Sequence, residues 1–160
     1  MLSMLNRIPL RRPSIGRDGA LDGAERLAAA CHAIASAEYL ARDIDRRPGG
    51  LADWRLDRED FLTRAPRLGP PVDAVSGPAA TNALHVLRLA AAAAVLAPTA
   101  PRVRCAANAT LGASSAILQP RNHFGADGAD HVSFLVSATC ALARLRGRDA
   151  RWVDACLWYL

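Results

Sequence analysis

Residues 103–119 read VRCAANATLGASSAILQ, set between Pro101 and Pro120. Alanine and leucine favour a helix here, and proline just past the end is a stop signal. On a helix Asn108, Gly112, Ser115 and Gln119 fall at i, i+4, i+7 and i+11, so they share one face. The remaining positions are mostly Ala, Leu, Ile and Cys. A soluble amphipathic helix exposes long charged side chains on its polar face. Small and hydroxyl side chains on that stripe are what membrane helices use to approach one another closely.

The same pattern recurs along the chain. The segment Ala24–Ala41 carries Glu25, His32, Ser36 and Tyr39 on one face. Ala83–Ala97 stops at Pro98, and Val132–Ala143 stops at the Arg144–Arg148 cluster with Ser133, Ser137 and Cys140 in register. A fifth apolar stretch opens at Trp152 and runs to Leu160. No segment alternates with the period of a strand. The expected fold class is all-α: a multi-span transmembrane helical bundle of about four spans plus the start of a fifth, at roughly 20 residues per span. The chain reads as the front portion of such a protein, ending within a span. Every segment is short or carries polar residues, so a soluble helical interaction domain is the competing reading.

Composition narrows the partners. Half the chain is apolar while aromatics are 5%, and alanine buries little surface per residue, which favours many closely packed helices. The net charge of +5 rests entirely on arginine, since the chain has no lysine. Those arginines are scattered between apolar runs, without a basic stripe or interleaved aromatics, so no nucleic-acid partner is expected. Cys31, Cys105, Cys140 and Cys156 make no C-x-x-C pair and lie in apolar runs; they read as small buried residues. The first residues lack the apolar core of a cleaved signal peptide.

The loops carry a charge signature. Residues 1–20 form a basic N-terminal segment, ahead of the helical domain at 21–160. The turn 98–104 holds Arg102 and Arg104 with no acid. The turn 144–151 holds four arginines against Asp149. In between, residues 42–81 balance seven arginines with seven acids, and 121–130 set Arg121 against Asp127 and Asp130. Arginine-rich loops therefore alternate with the others. Positive-inside counting expects a multi-pass protein of the inner (plasma) membrane with a cytoplasmic N-terminus and with 42–81 and 121–130 outside. The lipid bilayer is then the expected partner.

The most specific stretch is Arg121-Asn122-His123-Phe124-Gly125-Ala126-Asp127-Gly128-Ala129-Asp130-His131. Gly125 and Gly128 permit positive φ. Asp130 is placed to cap the next helix, where an acid suits the dipole. Arg121 and Asn122 follow Pro120, where helix-end carbonyls need donors. His123, Asp127, Asp130 and His131 are metal-ligand types, but they match no standard zinc spacing, so turn and cap duty is expected and no metal. In these residues the chain resembles the HTTM family, multi-span bacterial proteins related to the membrane domain of vitamin K-dependent γ-carboxylase and, more loosely, to DoxX-like proteins. Arg121, Asn122, Gly128 and Asp130 match the family's Arg-Asn pair, spacer, and Gly and Asp opening the next span. The long first outside loop with Trp54 also fits. The resemblance implies fold and location. It further implies either assistance to the maturation of a secreted peptide or a carboxylase-like or quinone-linked membrane enzyme. With no lysine, the carboxylase base has no counterpart, so catalytic residues stay unknown and no cofactor is expected.

Ionisable groups inside a span are functional candidates by default. Here these are Glu25, His32, His85 and Arg88. His85 and Arg88 lie at i, i+3 and are expected either to pair with Glu25, His32 or Glu38, or, for Arg88, to snorkel to an interface. Glu38 and Arg42 are spaced for a helix-end ion pair.

Overall fold

The computed structural model describes residues 17–42, 53–118 and 128–146, and all the regular structure in them is helical. In chain order these are α1 (Arg17–Ala41), α2 (Trp54–Arg64), a 3₁₀ turn (Pro66–Leu68), α3 (Gly69–Val75), α4 (Pro78–Leu96), α5 (Pro101–Leu118) and α6 (Gly128–Arg146). The all-α class is as the sequence predicts.

Local chemistry sets the helix ends. Pro78 and Pro101 open α4 and α5 at positions where the missing N–H would have no partner anyway. Asp53 caps α2 by accepting from the Arg55 backbone N–H at 3.2 Å. Ala65, just before Pro66, ends that helix. Between α4 and α5 the chain turns within Ala97–Ala100, and the Thr99 hydroxyl closes the turn on the Ala94 carbonyl at 2.7 Å. The helices α1, α4 and α6 start several residues ahead of their apolar runs, and α6 also runs past the end of its run, whereas α5 nearly coincides with 103–119. Asp130 is a further departure: α6 already begins at Gly128, so Asp130 sits in the first turn and is not the residue before it. The stretch 42–81, read as a loop, instead contains α2, the 3₁₀ turn and α3.

The four long helices pack as a closed ring in the order α1, α4, α5, α6, each against its two neighbours. Side-chain contacts give the directions. Glu25 of α1 meets residues near the start of α5 and the end of α6. Two turns on, His32 meets Arg88 of α4 and Ser133 and Ser137 of α6. Next, Ser36 meets His85. So α1 and α5 run one way while α4 and α6 run the other, an up-and-down bundle. Two apolar clusters lie within it. One joins Ala29, Ala91, Ala92, Val95, Ala107 and Leu111; the other joins Leu21, Ala28, Val136, Cys140 and Ala143. The small residues allow close approach: a Cβ on Gly112 would stand 3.6 and 3.7 Å from the Ala138 backbone N and Cα.

Among the described residues α4 is the one helix long and apolar enough to cross a membrane by length and composition. Its 19 residues span about 28 Å at 1.5 Å per residue. The segment Val132–Leu145 is apolar but shorter.

Candidate functional site

The interior of the ring is polar at three levels. At the end where α1 begins, the Glu25 side chain is fully buried and held by three residues. Arg144 grips it as a fork, Nε to Oε1 at 2.7 Å and Nη2 to Oε2 at 2.5 Å. Arg104 donates to Oε2, and Asn108 donates its amide to Oε1 at 2.5 Å. Asp22, partly exposed, adds a 3.2 Å contact to Arg144 and lies 3.8 Å from Arg104. Two carboxylates thus meet two guanidiniums, and the level is neutral in sum. Buried ions persist only when paired and hydrogen-bonded in this way.

The middle level centres on His32, 1% exposed. Arg88 Nη2 lies 2.6 Å from Nδ1, while Nε2 lies 3.1 Å from Ser137 Oγ and 3.3 Å from the Ser133 carbonyl. Arg88 is itself buried, which decides between its two expected fates: it pairs inside with His32 and does not snorkel. At the third level His85 Nδ1 is 3.3 Å from Ser36 Oγ, and its ring stacks on Tyr39 with centroids 3.9 Å apart. The stripe Glu25, His32, Ser36 read on α1 is therefore the face that lines the interior, with Tyr39 following it half-buried. Glu38 and Arg42 form the expected pair at 2.5 Å, out in solvent.

His32 and Ser137 have the spacing of a nucleophile and its base, but the protons are wrong for that chemistry. A guanidinium only donates, so Nδ1 is the acceptor and Nε2 carries the hydrogen. A general base needs the reverse, with Nε2 free to take the serine proton. In this arrangement His32 links α1 to α4 and α6 by hydrogen bonds.

Outside the ring, α2 and α3 form a separate small clamp. Asp73 accepts from Arg58 Nε and Nη2 at 2.9 and 2.8 Å and from the Trp54 indole at 2.7 Å. The Arg58 hydrogen bonds first, and then the indole, hold the Asp73 carboxyl well below the usual range, at about 2. The Arg58 guanidinium is raised by the same pairing. Trp54 also meets Phe61 edge-on at 5.4 Å.

Of the sequence-derived motif, Arg121, Asn122, His123 and Asp127 lie outside the described residues, and Gly128 and Asp130 fall in the first turn of α6. Of the interior candidates, Glu25, His32, His85 and Arg88 are all buried. Reasoning from sequence missed the roles of Arg104, Asn108 and Arg144. In sequence Arg104 and Arg144 read as loop charges, although Arg104 is one turn inside Pro101 and Arg144 lies within the last turn of α6. Asn108 reads in sequence as part of the small-residue stripe, and nothing local signals its tie to Glu25. Comparison with protein-family models, curated proteins and solved structures finds no match.

Proposed function

We propose that this chain is an integral membrane protein of the inner membrane, HTTM-like, with α1, α4, α5 and α6 as four spans and a cytoplasmic N-terminus. The observation that carries the reading is an inverted distribution of side chains. Glu25, His32, Arg88 and Asn108 are buried, while Leu27 and Ile34 on α1 are each 67% exposed. The outward faces of α4 and α6 add Val86, Leu87, Leu96, Val132, Leu135, Leu142 and Leu145. Along α4 no charged side chain points outward; along α5 only Arg102, next to the helix start, does. In water this arrangement would bury charge and expose hydrocarbon, the reverse of what drives folding. In a bilayer it is the favoured arrangement, since lipid meets the apolar faces and polar groups find partners inside.

Two details support the same reading. The hydroxyls of Thr110 and Ser115 bond back to the carbonyls of Ala106 and Leu111 at 2.9 Å, so neither needs water. The exposed Arg26 of α1 adjoins Glu25, near the end where the arginine-rich turns lie, within reach of an interface. The resemblance in Arg121, Asn122, Gly128 and Asp130 adds a role: assistance to the modification or maturation of a secreted peptide, met at the outer mouth. A carboxylase-like or quinone-linked enzyme would act on its peptide or lipid-quinone substrate at the same mouth. The contacts of His32 do not equip it as that enzyme's base.

Two measurements test the proposal. The chain should remain in the membrane fraction and need detergent; a monodisperse soluble monomer would sink the reading. On a cysteine-free background, a reagent confined to the periplasm should label Ser76→Cys and miss Ala100→Cys. The opposite result inverts the topology, and equal labelling removes the spans.

A further inference from the structure

We infer that the Glu25 end of the bundle binds anionic phospholipids, with Arg26 of α1 and Arg102 of α5 each holding a headgroup phosphate. The inference rests on the bilayer reading and deepens it by naming the lipid class.

The fold gathers positive charge at that end. Because Glu25 meets Arg104 and Arg144, the start of α1, the start of α5 and the end of α6 lie together there. The short turn from α4 into α5 belongs to the same end. Six arginines in its described residues stand against three acids, Asp18, Asp22 and Glu25. The segment joining α1 to α4 at the opposite end is matched pair by pair. Glu38 meets Arg42, Asp53 meets Arg55, Asp60 meets Arg64 and Asp73 meets Arg58.

Ion pairing decides which cations of the Glu25 end stay available. Arg104 and Arg144 are engaged by Glu25, and Asp22 turns to Arg144 at 3.2 Å. Asp22 stands four residues before Arg26, the spacing of a helix ion pair, but its contact is with Arg144. Arg26 and Arg102 are exposed, and neither has an ion pair or a hydrogen bond with a described residue. They stand on helices diagonal in the ring, so they make two separate contacts and not one pocket.

Each of these arginines borders apolar surface. Leu27, next to Arg26, is 67% exposed, and Val103, next to Arg102, is 46% exposed. On the two helices between them, Leu96 of α4 and Leu145 of α6 are exposed at the same end. A phospholipid carries the complementary pair of chemistries. Its acyl chain lies against Leu27 or Val103, and its phosphate meets a guanidinium that reaches up to the headgroup level. A zwitterionic headgroup brings its own ammonium to the phosphate, whereas an anionic one leaves the phosphate to the arginine. The preference is worth a factor of about five per arginine. Among the described residues of this end no aromatic side chain stands ready to stack bases, so the phosphate is a lipid's and not a nucleic acid's.

The test uses the full chain in lipid vesicles, with Trp54, Trp152 and Trp158 replaced by phenylalanine and one reporter indole added at a time. Leu27→Trp and Val103→Trp report the two arginine sites, and Val132→Trp reports the opposite end. Lipids brominated in the acyl chain quench the indole they touch, so phosphatidylglycerol and phosphatidylcholine are compared site by site. Leu27→Trp and Val103→Trp should favour phosphatidylglycerol by about fivefold at low salt, and Val132→Trp should show no preference. Arg26→Gln should abolish the preference at Leu27→Trp alone, and Arg102→Gln at Val103→Trp alone. Equal quenching by the two lipids at both arginine sites overturns the inference. So does a preference that survives loss of the neighbouring arginine, or one of equal size at Val132→Trp. Brominated phosphatidylcholine by itself separates the two levels of the argument. Quenching without preference keeps the spans and overturns this inference alone, while no quenching at any reporter overturns the spans with it.

Discussion

Glu25 and Asp73 are held by almost the same chemistry. Each carboxylate takes a two-pronged arginine, Arg144 or Arg58, and a neutral N–H donor, the Asn108 amide or the Trp54 indole. What differs is the surroundings. The Glu25 side chain is fully buried, whereas those of Asp73 and Arg58 keep 35% and 43% of their exposure. Water competes for the second site and not for the first. The bundle has placed its ions where losing a partner is ruinous, and the α2–α3 clamp has placed the same ions where it is tolerable. That is the division expected between the closed interior of a helix bundle and a clamp at the water's edge.

The largest effect should follow from breaking the buried hub. Glu25→Leu leaves Arg104 and Arg144 with only the partly exposed Asp22 as an anion. Loss of one member of a buried ionic set costs about 3–5 kcal/mol, enough to remove most folded protein from a marginally stable bundle. Thermal unfolding in detergent measures it. Replacing Glu25, Arg104 and Arg144 together with apolar residues of similar volume should recover much of the loss, because the desolvation burden goes with them. If Glu25→Leu and Asp73→Leu lower the unfolding temperature equally, the contrast between the two sites is gone.

A second prediction sharpens the role of packing. Gly112 lies where α5 and α6 approach, and an added Cβ would make only ordinary van der Waals contact with Ala138. Gly112→Ala should therefore be close to neutral, while Gly112→Leu overfills the seam and costs about 1–3 kcal/mol. Thermal unfolding in the same detergent distinguishes them, and equal behaviour of the two variants would show that this seam does not limit stability.

How far this was readable in the sequence depends on the kind of signal. Helical periodicity and proline stops place all four long helices, because those signals are local. The interior stripe of α1 is legible for the same reason. The partners are not: that Glu25 meets Arg104 and Arg144, 79 and 119 residues away, depends on the order of the ring, which no local pattern encodes. Arginines near helix ends are ambiguous in sequence, since a long side chain one turn inside can face solvent or fold back into the core. The helices α2 and α3 were hidden because their arginines and acids balance, which reads as loop when only charge is counted. Asp53 before Trp54, and Pro70-Pro71 at the start of α3, are the cap signals that could have revealed them.

The smallest expected effect lies in the clamp, and its sign follows from Asp73. Pairing lowers the folded-state value of that carboxyl to about 2, below the value of a free aspartate near 3.9. A group so depressed adds stability while it is ionised in both states, and loses that contribution as pH falls through its folded value. The α2–α3 clamp should therefore be fully held above about pH 4 and should loosen between there and about pH 2, with Trp54 fluorescence reporting the loss of its bond to Asp73. Trp152 and Trp158 are replaced by phenylalanine so that a single indole is read. Arg58→Ala removes the larger cause of the depression and leaves the indole bond, so the acid midpoint should move upward, toward that of a free carboxylate. Salt should weaken the wild-type clamp at neutral pH, because exposed pairs are screened, and should leave the Glu25 hub nearly unchanged. An acid midpoint identical in wild type and Arg58→Ala would mean that Arg58 does not set the ionisation of Asp73, and the parallel with Arg144 and Glu25 would hold in geometry alone.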